Sequence, residues 1–145
     1  MAKNITMIFG WLFIVFGILG FIPNPFIGEG AFFHFDIVGN IFHIVIGIIA
    51  LAMAKKGDQG SLSFMKSFGI IFAILAIIGF FQIGSAGAGK LLGIMEINGI
   101  VNWFYIILAI IFIAIGFGSK SGDMAMGGGS DSGMGGMNDM KGGHM

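Results

Sequence analysis

The sequence contains no cysteine among its 145 residues, and charged residues make up only 10% of it. The absence of cysteine excludes disulfides, thiolate catalysis and cysteine-ligated metals, and it leaves the redox compartment undetermined. A soluble domain of this length needs far more polar surface than so few charges supply. The formal net charge is zero, so the chain lacks the basic surface with which proteins bind nucleic acid.

Four long apolar segments occupy most of the chain instead. They predict transmembrane helices at residues 5–22, 37–54, 67–83 and 97–117, each close to the roughly 20 residues needed to cross a ~30 Å hydrocarbon core. The segments are apolar on nearly every side, which excludes a soluble bundle. They do not alternate as barrel strands do. The sequence therefore predicts an all-α, integral membrane four-helix bundle within residues 1–118.

The lysines predict how the helices are oriented. One side of the predicted bundle carries Lys3, Lys55, Lys56, Lys66 and Lys120, whereas the other has Lys90 with Glu29, Asp36 and Glu96. Short cytoplasmic loops are enriched in lysine. We therefore predict a multi-pass protein of the cell (inner or plasma) membrane with both termini in the cytoplasm.

The two halves of the bundle resemble each other. The first segment contains Phe9-Gly10 and Gly20-Phe21, and the third contains Phe68-Gly69 and Gly79-Phe80 at a constant offset. This pattern predicts two repeated helical hairpins related by an axis along the membrane normal. Chance similarity between apolar helices is the alternative.

The few polar residues of the second and fourth segments form a set that we call the polar set. Its members are Asp36, Asn40, His43, Asn98, Asn102 and Tyr105, with Glu96 close by in sequence. Their spacing places each group on one helical face, and polar side chains in lipid turn toward protein or water. Three roles stay open, namely hydrogen bonding between helices, binding of a small ligand, ion or cofactor, and proton transfer. His43 is the only histidine inside a predicted segment, which argues against haem.

The string Gly84-x4-Gly89-Lys90 imitates a phosphate-binding loop. That motif needs serine or threonine after the lysine and a strand before it. Here Leu91 follows the lysine, and a predicted transmembrane helix precedes the string. We therefore predict no nucleotide binding.

Residues 119–145 have a different composition, with nine glycines and six methionines but no large aliphatic or aromatic residue other than methionine. Such a segment cannot bury a core and is predicted to be disordered. Thioethers are soft ligands suited to Cu(I), so the tail is a candidate metal-binding segment. Its candidate ligands are Met124, Met126, Met134, Met137, Met140, His144 and Met145. A flexible interaction tail is the simpler interpretation.

The hairpin repeat, the Gly-Phe end of the first segment and the Asn40-x2-His43 face resemble a family of small four-pass bacterial membrane proteins known only as a domain of unknown function. The likeness covers about residues 5–117. In that family both the second and fourth helices carry Asn-x2-His, and the second often has another histidine where Gly39 stands here. Tyr105 replaces the fourth-helix histidine. The resemblance implies a membrane bundle and no activity, while a weaker likeness to DoxX-type proteins keeps a redox-associated role open.

Two functions follow from these features. The first is a structural or protein-interaction role, as a homo-oligomer or with another membrane protein, through small-residue and polar helix faces. The second is binding of Cu(I) by the tail, or of a small ligand or cofactor by the polar set. No nucleophile–base pair is recognisable, so we predict that the chain is not an enzyme.

Overall fold

The computed structural model of the chain describes residues 1–119. Within them, four helices are long and apolar enough to cross a membrane by length and composition. They are α1 (Ala2–Leu19), α2 (Ile37–Ala54), α3 (Gly57–Ile83) and α4 (Gly99–Ser119). This confirms the predicted helical fold and indicates a multi-pass membrane protein.

Helix α1 starts and ends about three residues earlier than its apolar segment predicts. At the C-terminal end, the side-chain amide of Asn24 donates to the carbonyls of Leu19 at 2.8 Å and Ile22 at 2.7 Å. These bonds satisfy carbonyls that a helix end leaves free. The chain therefore turns away at Gly20 although Phe21 and Ile22 are still apolar.

Helix α3 begins ten residues before the predicted start at residue 67. It has 27 residues, which corresponds to a length of about 40 Å at 1.5 Å per residue. Only Lys55 and Lys56 connect it to α2, and Gly57 takes a positive φ of 83° at the turn. Gly60 and Phe64 are buried one turn apart. This inward face continues the helix beyond its apolar segment. Asp58 and Ser63 are exposed, and the buried Ser61 hydroxyl donates to the Gly57 carbonyl at 3.0 Å.

Two small sheets cover the opposite end of the bundle, which the sequence did not predict. Strands β1 (Ile27–Gly28) and β2 (Phe33–His34) pair in parallel, and β3 (Ala88–Leu91) pairs with β4 (Met95–Asn98) in an antiparallel hairpin. The lysine of the phosphate-loop-like string lies on β3 opposite Glu96.

Side chains connect the two sheets. His34 Nε2 lies 3.6 Å from Glu96 Oε2, and the Asn98 side-chain amide donates to the Phe32 carbonyl at 2.9 Å. The segment between α1 and α2 is thereby held against the segment between α3 and α4. This closed end fixes where α2 and α4 begin, and both helices carry the polar set.

Aromatic rings fill the centre of the bundle. Phe13 of α1 and Phe72 of α3 are buried with their ring centroids 5.8 Å apart, and Phe112 of α4 packs edge-on against both. Glycines bring the backbones together around this core. A Cβ atom on Gly47 would lie only 2.6 Å from the Gly10 carbonyl oxygen.

Candidate functional site

The innermost polar residues are His43 of α2 and Tyr105 of α4, which we call the polar centre. Both are completely buried. Their rings lie nearly parallel, at an angle of 25°, with centroids 6.1 Å apart. The structure thus brings together the two members of the polar set that could carry chemistry.

The hydrogen bond of His43 defines which of its ring atoms is available. Nδ1 lies 2.7 Å from the Gly39 carbonyl oxygen, and a carbonyl can only accept, so Nδ1 donates. In the neutral imidazole Nε2 is then an acceptor. Nε2 is buried and has no hydrogen-bond partner among the described residues, and neither has the Tyr105 hydroxyl. The polar centre therefore offers one free acceptor and one free donor.

Aromatic side chains enclose both rings. Phe35, Phe13 and Phe42 lie around His43 at centroid distances of 4.3, 5.9 and 5.6 Å. Phe72 lies 5.2 Å from the Tyr105 ring. These walls separate the polar centre from the lipid-facing surface and hold the two rings in place by packing.

The two asparagines of the polar set each lie against a glycine of the neighbouring helix. A Cβ atom on Gly20 would overlap Asn40 Oδ1, and one on Gly79 would overlap Asn102 Oδ1. The Asn102 amide also donates to the Gly84 carbonyl at 3.2 Å. Both Oδ1 atoms are buried without a partner within residues 1–119.

The outermost members of the polar set are helix caps. Asp36 Oδ1 accepts from the Gly39 amide at 2.9 Å, and Asn98 Oδ1 accepts from the Val101 amide at 3.1 Å. Such bonds satisfy an N–H group that the first helical turn leaves free. Capping of the first turn of α2 therefore accounts for the position of Asp36. Glu96 faces His34 instead of joining the set.

The part of the chain that the structure describes contains no preformed metal site. No group of three or more histidine, cysteine, aspartate or glutamate side chains within residues 1–119 is placed to hold an ion. The predicted Cu(I) ligands, from Met124 to Met145, lie outside the described residues. Their role, like the predicted disorder of the tail, stays a prediction.

Sequence reasoning missed the residues that surround the polar centre. Phe35 comes from the segment before α2, and Phe13 and Phe72 come from α1 and α3. The sequence also did not predict that Thr6 is a buried polar residue. Their positions in apolar or loop stretches carry no signal that separates a wall of this site from an ordinary core residue.

The extent of the fold matches a known family. A family model described as "Domain of unknown function (DUF4383)" matches residues 3–118. The chain belongs to this family. The match spans all four helices and both sheets, and it confirms the resemblance drawn from the repeat and the Asn-x2-His face. No curated protein and no solved structure matches the chain, so family membership brings a shared domain without an assigned activity.

Proposed function

We propose that the chain is a non-enzymatic membrane protein of structural or interaction type, in which buried polar and small residues specify how the helix faces pack. One observation carries this proposal. Asn40, Asn102, His43 and Tyr105 are all buried between helices of the same chain. Polar side chains used in this way specify which helix faces meet.

Matched contacts support the proposal that the hairpins are copies of one unit. Asn40 lies on Gly20 in the first hairpin as Asn102 lies on Gly79 in the second. The stacked pairs Phe13–Phe72 and His43–Tyr105 then join equivalent positions of the two copies. An axis between these pairs, along the membrane normal, would relate the hairpins.

The outer surface is the part left for partners. Large aliphatic residues such as Ile41, Ile77 and Ile110 are about half exposed or more, so this surface contacts lipid, a second copy or another membrane protein. For the orientation, we propose that the protein lies in the cell membrane with both termini on the cytoplasmic side. Lys3 and Lys55 at one end of the bundle support this.

A second function is favoured by the free acceptor and donor of the polar centre. Buried polar groups are normally paired, and a small polar ligand could bind both His43 Nε2 and the Tyr105 hydroxyl. In that case the chain would be a membrane-embedded binding protein. The walls described above would then determine the size of the ligand.

Tyr105→Phe distinguishes the two functions, because it removes only the hydroxyl group. If the centre is structural and empty, the parent buries a hydroxyl group without a partner, at a cost of about 1–3 kcal/mol. The variant lacks this hydroxyl and is relieved of that cost. We expect its free energy of unfolding in detergent micelles to equal or exceed that of the parent. Thr6→Val, which removes another buried unpaired hydroxyl on α1, is the matched control and should shift in the same direction.

A bound ligand would give the opposite result. Tyr105→Phe would then be less stable than the parent, while Thr6→Val would not. A small molecule or chromophore would be present in the purified parent protein and absent from purified Tyr105→Phe. Mass measurement, elemental analysis and an optical spectrum of both proteins in mild detergent would detect it. That combination would overturn the structural proposal.

A further inference from the structure

A groove between α1 and α2 lies at the end of the bundle where α1 begins and α2 ends. It encloses about 340 Å³. Its lining consists of Lys3, Met7, Trp11, Leu51, Ala54 and Lys55. The three α1 residues recur every fourth position, so they share one face of the helix. The groove therefore runs along α1 for about 12 Å at 1.5 Å per residue.

The groove has two chemically different ends. Lys3 and Lys55 lie at the end of the bundle, because α1 starts and α2 stops there. Met7, Leu51 and Trp11 form an apolar floor that extends from the lysines toward the middle of two helices long enough to cross a membrane. A molecule that fits this arrangement has a charged head and an apolar chain.

The charge at the open end is positive, and among residues 1–119 no acidic side chain lines the groove. Asp58, the acidic residue next to Lys3, accepts from the Lys3 backbone amide at 2.7 Å and pairs with the terminal ammonium of Met1 at 3.3 Å. Within residues 1–119 the remaining ion pair joins His34 to Glu96, so neither lysine ammonium has an ionic partner there.

We propose that this groove binds one molecule of an anionic phospholipid. The phosphate group would lie between the ammonium groups of Lys3 and Lys55, and one acyl chain would lie on Met7 and Trp11. Basic pockets between helices at a membrane surface select acidic head groups in this way. A free phosphate ion would use only the lysine end and leave the apolar floor uncovered.

The two tryptophans of the chain give a local measurement. Trp11 lines the groove and is 57% exposed, while Trp103 of α4 is 52% exposed outside it. Single-tryptophan proteins, Trp103→Phe and Trp11→Phe, would be placed in phosphatidylcholine bilayers with a minor fraction of phosphatidylglycerol brominated on its acyl chains. Bromine quenches a tryptophan that it contacts. We expect stronger quenching of Trp11 than of Trp103, and no such difference when the brominated lipid is phosphatidylcholine.

Charge variants test the head-group contact. Lys3→Gln with Lys55→Gln should weaken the affinity for phosphatidylglycerol about 30-fold, from the contribution of two lysines at a membrane surface. The affinity is measured from the quenching of Trp11 as the fraction of brominated phosphatidylglycerol is raised. Lys56→Gln with Lys90→Gln removes the same charge from exposed positions outside the groove. That pair should leave the quenching unchanged.

Three results would overturn the proposal. Equal quenching of Trp11 and Trp103 by brominated phosphatidylglycerol would show that lipid does not prefer the groove. If both double-lysine variants lost the same amount of Trp11 quenching, the lipid would be attracted by the general surface charge and not by the groove. Inorganic phosphate at millimolar concentration should not compete, and complete competition would assign the lysines to a free anion.

Discussion

Helices α1 and α2 touch backbone to backbone at Gly47, which makes Gly47→Ala a direct test of how the first hairpin packs. A Cβ atom at this position would lie 2.6 Å from the Gly10 carbonyl oxygen and 2.9 Å from the Ile14 amide nitrogen. Both are main-chain atoms of α1. Rotation of a side chain cannot relieve this overlap, so the helices must separate.

The size of the effect follows from these distances. Ordinary contact begins at 3.4 Å, so α1 would retreat from 2.6 Å by about 0.8 Å. Overpacking of a core costs about 1–3 kcal/mol, and the better helix propensity of alanine returns up to about 1 kcal/mol. We expect Gly47→Ala to lower the free energy of unfolding by up to about 3 kcal/mol, and by about 1–3 kcal/mol relative to an alanine that gains the same propensity without overlap.

The measurement is unfolding by titration with sodium dodecyl sulfate in mild-detergent micelles, followed by circular dichroism. Gly118→Ala is the matched control, because Gly118 is on α4 and a Cβ there would meet nothing within 4 Å. It gains only propensity and should be unchanged or up to about 1 kcal/mol more stable. If Gly47→Ala were as stable as Gly118→Ala, α1 and α2 would not approach as described.

Two further changes probe the ends of the elements by the same titration. Asp36→Ala removes the cap of α2 and should cost about 0.5–2 kcal/mol, while Asp36→Asn keeps an acceptor and should cost less; equal losses would argue against capping. Leu92 takes a positive φ of 57° in the turn after β3, a conformation that costs an ordinary residue about 1–2 kcal/mol. Asn tolerates it, so Leu92→Asn should raise the free energy of unfolding, and a decrease would place the strain elsewhere.

Hydropathy alone located all four helices, because a helix that crosses lipid is built mostly of consecutive apolar residues. Hydropathy did not locate the start of α3, because the first ten residues of this helix include several polar side chains. Gly60 and Phe64 face the bundle while exposed Asp58 and Ser63 turn outward. A helix that leaves the lipid needs only one apolar face, and an average over the segment cannot see that face.

The polar set was recognisable from helical spacing, but the structural role of each of its residues was not. Spacing places Asp36 and Asn40 on one face of α2, yet one caps the helix and the other packs on Gly20. The partner of Asn40 is the residue that ends another helix, twenty residues away in sequence. Such a contact depends on how helices cross, and spacing within one helix contains no information about crossing.

The difference between the two hairpins at the polar centre has a chemical consequence. If the hairpins are copies, as we propose, His43 and Tyr105 occupy equivalent positions and meet across the axis between them. Two neutral histidines that both donate from Nδ1 to a backbone carbonyl would meet with two acceptors and no donor. Histidine and tyrosine instead contribute one acceptor and one donor. The chemistry of the centre therefore depends on a position where the copies differ in kind, since the matched asparagines and glycines around it repeat the same contact twice.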